Sequence, residues 1–554
     1  MKKSLISLWL SITLIAGCIH NDLPYPVVVP SITSLTVQEA VKVEIDYYAQ
    51  EVTVYVSETT DLARVVIQSV EFDSELTRSS VVLTGVHDLT VPMKFKLSTY
   101  QEYDWTLKAL RPVERYFTVL GQVGSSVIDE YNKRVMTSVS KGTDISNLTV
   151  TSLKLGPKDI TTYSLTPEQM TDFTEGIEVD VTAFGVTETW RLYVVETDIS
   201  VEISKVNPWT TSAYVTATAV SGRQTVFLYR PAGASDWSEV EPDAVTSDGG
   251  TFVAHIRNLL PGSSYEVIVR SDEDETPICE FETAPATRIP NGSFEYASYV
   301  TGTNYYKFYD PDCGVYEGET MFWGSGNGEG TEGVNGSANM GIIITTIDKD
   351  EKVDGKQSVC AQTSQMAGIL AAGNLFTGQF AGLVGTEGGK VNFGRPWTTR
   401  PVALKMHCKY VTGNIDIIGK KMPPGVNITK NDNDRAQIKF AIGTWNHRTY
   451  GGTKDSPVHV NTTDASTFVD FTRDASTIAY GDLILHKNGY VLNGSELVDS
   501  DTWEWAEYTI PLEYHDIETL PTHIIISCAA SQYGDYFTGC SSSKLWIDKV
   551  ELVY

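Results

Sequence analysis

The sequence predicts an all-β protein, with tandem β-sandwiches at the front and one larger β-sandwich at the C-terminus. Three observations carry that expectation. From Val27 to about Phe281, short β-branched runs are broken by turn residues and helical periods are few. Several positions recur at a shift of 83 residues, the length of one small sandwich rather than of a solenoid unit. A chain of 554 residues makes about three to five domains, so no single core has to fill it.

Composition narrows the class. The 42 basic and 70 acidic side chains give a net charge of −28, which favours solubility and suits neutral partners better than polyanions. Only 20% of residues are charged and no Lys/Arg block occurs, so nucleic-acid binding is excluded. A 41% hydrophobic fraction with 10% aromatics excludes global disorder. The chain lacks GxxxxGK[ST], a helix-opening GxGxxG, HExxH and GxSxG.

The elements follow in chain order. Lys2 and Lys3 precede an apolar stretch, Leu5–Gly17, of 13 residues, too short for the roughly 20 that span a bilayer. It ends Leu14-Ile15-Ala16-Gly17-Cys18, which resembles the bacterial lipobox. That resemblance implies a signal peptide over 1–17, cleavage before Cys18 and acylation there, with 18–28 as a proline-broken tether. An ordinary signal peptide with an incidental cysteine is the alternative. The other cysteines, Cys279, Cys313, Cys360, Cys408, Cys528 and Cys540, form no CxxC pair and match no known disulfide framework. Buried thiols are the expectation.

Residues 29–112 and 113–198 are the repeated pair. Val52, Val56, Ser57, Thr60 and Asp61 recur as Val135, Val139, Ser140, Thr143 and Asp144. Downstream, Asp88-Leu89-Thr90 with Trp105 parallels Asp172-Phe173-Thr174 with Trp190, slipped by one or two residues as a loop insertion would do. Both modules are expected to be Ig-like, with the two tryptophans in their cores. In residues 199–286, Leu259-Leu260-Pro261-Gly262 followed by Tyr265 resembles the tyrosine corner of a fibronectin type III domain. Such modules serve as spacers.

Residues 290–554 change character: glycine is denser, and Trp323, Trp397, Trp445, Trp503, Trp505 and Trp546 cluster with Tyr533 and Tyr536. An opening Asn291-Gly292-Ser293-Phe294-Glu295 and a closing Ile547-Asp548-Lys549-Val550-Glu551-Leu552 resemble the jelly-roll carbohydrate-binding modules. That resemblance implies neighbouring first and last strands and a structural calcium ion held partly by Glu295 and Asp548. The ion takes six to eight oxygens, so these two would supply only part of its shell. The alternative makes both carboxylates solvated or capping groups. Segments Ala371–Gly378, Gly394–Pro401, Ile478–Gly481, Thr509–Tyr514 and Ser531–Gly539 together resemble the putative carbohydrate metabolism domain (PCMD) of gut Bacteroidetes lipoproteins. A jelly-roll sandwich and a role in glycan handling are implied.

Sugar binding needs rings to stack on pyranose faces and polar groups to meet hydroxyls. The candidates are Trp323, Asn374, Arg395, Trp397, Arg400, Trp445, Tyr533, Asp535 and Tyr536. The plainer alternative for any one tryptophan or arginine is core filling or loop bracing. A glycosidase needs a carboxylate pair about 5–9.5 Å apart. Glu295, Asp310, Asp312, Glu329, Asp416, Asp482 and Asp535 are available, but none lies in a glycosidase motif. The expected function is therefore an outer-membrane, surface-exposed lipoprotein that captures oligo- or polysaccharide, its partners being the glycan, the membrane through its lipid, and outer-membrane glycan-uptake proteins. A glycoside hydrolase on the same domain and a cell-surface adhesin are the rival readings.

Overall fold

Alternating runs such as Glu51–Val56 and Arg134–Ser140 place every second side chain on one face, and each folds as a strand with buried valines. The computed structural model describes residues 29–46, 49–300, 305–315, 321–328, 336–366, 368–385, 387–419, 422 and 426–554. The expected signal peptide, Cys18 and its tether lie outside the described residues, as does Glu329. Among the described residues the one α-helix is His447–Tyr450; almost all other regular structure is strand. The described residues are all-β, as the sequence predicts. Contacts divide the chain into two units, one holding residues up to 195 except 121–125 and 139–141, which belong with 196–554 in the other.

The strands of residues 40–197 carry the repeat into three dimensions. One sheet orders its strands Ala40–Asp46, Glu51–Val56, Glu102–Leu110, Met93–Ser98, Arg78–Ser79. The second copy orders Gln122–Asp129, Arg134–Ser140, Val186–Thr197, Ile177–Ala183, Thr162–Tyr163, the same succession. Trp105 faces Phe95 and Trp190 faces Val179 across neighbouring strands, and both indoles are buried. The repeated Asp-x-Thr turns match in detail. Asp88 Oδ1 accepts from Thr90 N at 3.0 Å, and Asp172 Oδ1 accepts from Thr174 N at 3.0 Å.

In the second unit, residues 201–282 form a two-sheet sandwich. Its corner is locked as the Leu-Pro-Gly-x-x-Tyr pattern requires, with Leu260 N donating to Tyr265 Oη at 2.8 Å. The terminal domain has a large sheet that runs Val458–Asn461, Gly388–Phe393, Asn374–Val384, His523–Ala529, Ala436–Gly443, Thr477–His486, Gly489–Leu492, Val498–Asp499. A five-stranded sheet of Thr345–Asp348, Ser358–Gln362, Lys544–Val553, Ala403–Val411 and Ala506–Pro511 packs against its inner face. Leu375, Ile438, Phe440, Ile526, Leu404, Met406, Leu545 and Ile547 fill the space between them. The chain opening meets its close: Val550 N donates to Gly292 O at 2.8 Å. A Cβ on Gly292 would strike the Val550 carbonyl, which is why glycine stands there.

The large sheet also has an outer face with its own small core. Residues 446–476 fold back over it, burying Ala441, Trp445, Val458, Val460 and Ile525 with Phe468 and Phe471. That fold-back makes the wall of the site described next.

Candidate functional site

Strand register decides what the outer face presents. Lys439 lies directly opposite Asp482 on one neighbour and Ser527 on the other, so all three share the outer face. Gln437 is one step along, and its Nε2 donates to Asp482 Oδ2 at 3.1 Å. Above this polar floor stand Phe468, Val469 and Phe471 on one side and Tyr533, Asp535 and Tyr536 on the other, enclosing a cleft of about 210 Å³. Tyr536 meets Phe468 edge to face, with ring centroids 5.5 Å apart. Gln532 lines the same cleft, and its buried Oε1 has no donor among the described residues.

A buried carboxylate holds the wall in place. Asp434 Oδ2 accepts from Ser531 Oγ at 2.6 Å, Cys540 N at 2.8 Å and Ser543 Oγ at 2.9 Å. These contacts tie down both ends of the 531–540 segment that carries the two tyrosines. Burial pushes the Asp434 carboxyl above its ordinary range, and the hydrogen bonds pull it back. Between its anchors the segment makes a tight turn in which Phe537 adopts φ +53°, the left-handed region.

Asp535 also lines a second cavity on the same face, of about 320 Å³, with Asn374 at its edge. Surrounding protein pushes the Asp535 carboxyl up and Lys439 draws it down. Solvent reaches this side chain through both clefts, so the upward push is weaker than full enclosure would give. The Asp482 carboxyl is likewise raised by burial and lowered by Gln437 and Lys439.

The expected sugar contacts divide sharply. Asn374, Tyr533, Asp535 and Tyr536 line the two clefts. Asn374 uses its amide internally, with Oδ1 accepting from Gly326 N at 2.8 Å and Nδ2 donating to Ala372 O at 3.2 Å. The other five need correcting, because burial leaves them no face to offer a sugar. Trp323, 1% exposed, packs on Phe294 and donates Nε1 to Pro290 O at 2.9 Å. Trp397 is in the main core beside Phe322. Trp445 anchors the outer-face cluster, its Nε1 donating to Asp474 Oδ1 at 3.0 Å. Arg395, also 1% exposed, braces loops by donating to Phe322 O, Gly378 O and Ser456 Oγ. Arg400 ties the preceding sandwich to the terminal domain: it donates to Asn207 Oδ1 and Pro208 O at 2.8 Å and to Ile517 O at 2.7 Å, and lies over the Trp209 ring.

Glu295 and Asp548 act on a loop. Glu295 accepts from Lys356 N at 2.9 Å, and Asp548 accepts from Val353 N at 2.9 Å and Lys549 N at 2.8 Å. Among the described residues no group of three or more acidic, histidine or cysteine side chains is placed to hold a metal ion. N–H donors fill the place of a cation at both carboxylates, so the arrangement fits capping rather than a calcium shell.

Sequence reasoning passed over Gln437, Lys439, Phe468, Phe471 and Gln532. A period-two reading of 436–443 would have set Gln437 and Lys439 on one face; nothing in the sequence signals the fold-back. Trp503, 44% exposed, stands at a separate shallow depression with Asn433, Lys487, Asn488 and Asp501.

Residues 293–553 match the family described as "putative carbohydrate metabolism domain". The C-terminal domain is thus similar to a carbohydrate-related family. No curated protein matches the chain. Among solved structures it is similar to a putative glycoside hydrolase from Bacteroides thetaiotaomicron, at 16% identity over 80% of this chain and 98% of that one, TM-score 0.28. A second putative glycoside hydrolase, from Bacteroides vulgatus, is 19% identical over 48% and 98% respectively, TM-score 0.32. A surface glycan-binding protein from Prevotella bryantii is 11% identical over 68% and 81%, TM-score 0.14.

Proposed function

We propose that the protein is a glycan-binding accessory lipoprotein whose outer-face cleft holds a saccharide. Cys18 anchors it at the outer membrane, its sandwiches serve as spacers, and it captures oligo- or polysaccharide for outer-membrane uptake proteins. The observation that carries the reading is the cleft itself, with aromatic walls, a floor of Gln437, Lys439 and Ser527, and the unmatched Gln532 Oε1. Rings meet the apolar faces of a pyranose, while amide, ammonium and hydroxyl groups meet its hydroxyls. A sugar hydroxyl donating to Gln532 Oε1 would repair a buried polar group otherwise unsatisfied. The carbohydrate-related family supports this reading, as does the lipobox-like Leu14–Cys18. No helix among the described residues is long and apolar enough to cross a membrane, which is consistent with anchoring through lipid.

A glycan array probed with the purified chain tests it. Binding to one polysaccharide class, weakened roughly tenfold or more by Tyr536→Ala and untouched by Trp503→Ala, is expected. Loss with Trp503→Ala alone would move the site to the shallow depression. Silence across the array would overturn the reading, and product analysis of the bound glycan would reveal cleavage, the mark of the hydrolase alternative.

A further inference from the structure

The second cavity is chemically unlike its neighbour. Ile342, Ile344, Met366, Ile369, Leu370 and Leu383 line it; its rings are Phe380 and Phe537, and no tryptophan or tyrosine lines it. Aliphatic and thioether side chains do not stack on pyranose faces; they take hydrocarbon, from which water gains by being released. At about 320 Å³ the space takes one hydrocarbon substituent. Its polar members near the cleft are few, and one of them, Asp535, is the residue shared with the aromatic cleft.

We infer that the ligand is an amphipathic saccharide bearing an alkyl or acyl substituent, whose sugar occupies the aromatic cleft while its hydrocarbon enters the apolar cavity past Asp535. This rests on the saccharide reading of the first cleft and adds the ligand class. Asp535 stands where the ligand turns from polar to apolar, and as a carboxylate it accepts hydrogen bonds from hydroxyls close to the substituent. The apolar cavity supplies affinity and selects against unsubstituted glycans of the same sugar.

Calorimetric titration of the full chain with octyl β-D-glucopyranoside, methyl β-D-glucopyranoside and 1-octanol, each below its micellar concentration, tests the assignment. Two buried methylenes suffice for about a tenfold gain. The octyl glucoside should therefore bind at least tenfold more tightly than the methyl glucoside or octanol. Ile369→Asp should abolish that advantage, and Met366→Asp should do the same; these residues are 40% and 39% exposed, so neither change threatens folding. Tyr536→Ala should weaken the octyl glucoside and leave octanol unchanged. Equal binding of the two glucosides, an octyl advantage that survives both aspartate variants, or no binding of either octyl compound overturns the inference. Octanol matching the octyl glucoside overturns the saccharide reading beneath it. Loss of the octyl advantage while methyl glucoside still binds, sensitive to Tyr536→Ala, overturns only the inference.

Discussion

The two faces of the large sheet are made from the same strands and do opposite work. Along Ala436–Gly443 the inward Ile438, Phe440 and Ile442 are fully buried in the main core, while the outward Gln437 and Lys439 are half-buried and floor the cleft. The inner face is closed by a second sheet and tolerates no charge. The outer face is closed only in part, by the 446–476 fold-back and the 531–540 turn, and there charge survives because water or a ligand can solvate it. Aromatic residues follow the same division. Rings on the inner side set stability, as does Trp445 in the small outer core; Phe468, Tyr533 and Tyr536 on the outer side line the cleft. Abundance of tryptophan in a sequence therefore marks a large core as readily as a sugar platform.

Removing an inner ring should give the largest effect. Trp323→Ala is expected to cost the terminal domain about 3–5 kcal/mol, lowering its unfolding midpoint on the order of 10 °C by calorimetry. Any glycan affinity that remains below the midpoint should be little changed. A shift under about 1 kcal/mol would break the distinction, placing Trp323 outside the packed core.

The support of the outer wall comes next. Asp434→Ala strips the shared acceptor from Ser531 Oγ, Ser543 Oγ and Cys540 N. About 1–3 kcal/mol of stability should be lost. Hydrogen exchange should rise across 531–540, and glycan affinity should fall more than stability alone explains. Protection unchanged in that segment would mean that the turn is held from elsewhere.

How much of this was legible in the sequence follows from the range of the interactions. Period-two alternation and turn residues are local, so the all-β class, the repeated sandwiches and the tyrosine corner at Tyr265 could be read directly. The seam of Gly292 with Val550 was legible only in part: the opening and closing motifs imply neighbouring first and last strands, whereas the last strand, Lys544–Val553, pairs with Ser358–Gln362 and Ala403–Val411 and meets the opening only at a turn. The site was only half legible. Tyr533, Asp535 and Tyr536 stand together in one short turn, and proximity in sequence survives folding. Lys439, Ser527 and Asp482 meet only through strand register, and Phe468 arrives by a fold-back with no sequence signature. Arg395 and Arg400 were misread for a related reason: an arginine beside a tryptophan has the same composition whether its fork meets a sugar or two backbone carbonyls and a side-chain oxygen.

The smallest effect sharpens the comparison at a single carboxylate. Asp482 sits on the outer face with its pKa raised above 3.8, burial outweighing the pull of Gln437 and Lys439. The folded state therefore holds this proton more tightly than the unfolded chain does. Its contribution to stability is fully present below 3.8 and is lost as pH rises through the folded-state value. Asp482→Asn removes the titration while keeping an oxygen that can accept from Gln437 Nε2. Chemical denaturation of both proteins from pH 3 to 8 should show the wild type losing stability relative to the variant just above the ordinary carboxylate range, then running parallel to it. A relative gain over that range would mean that Lys439 outweighs burial and that the outer face is more open to solvent than its packing indicates.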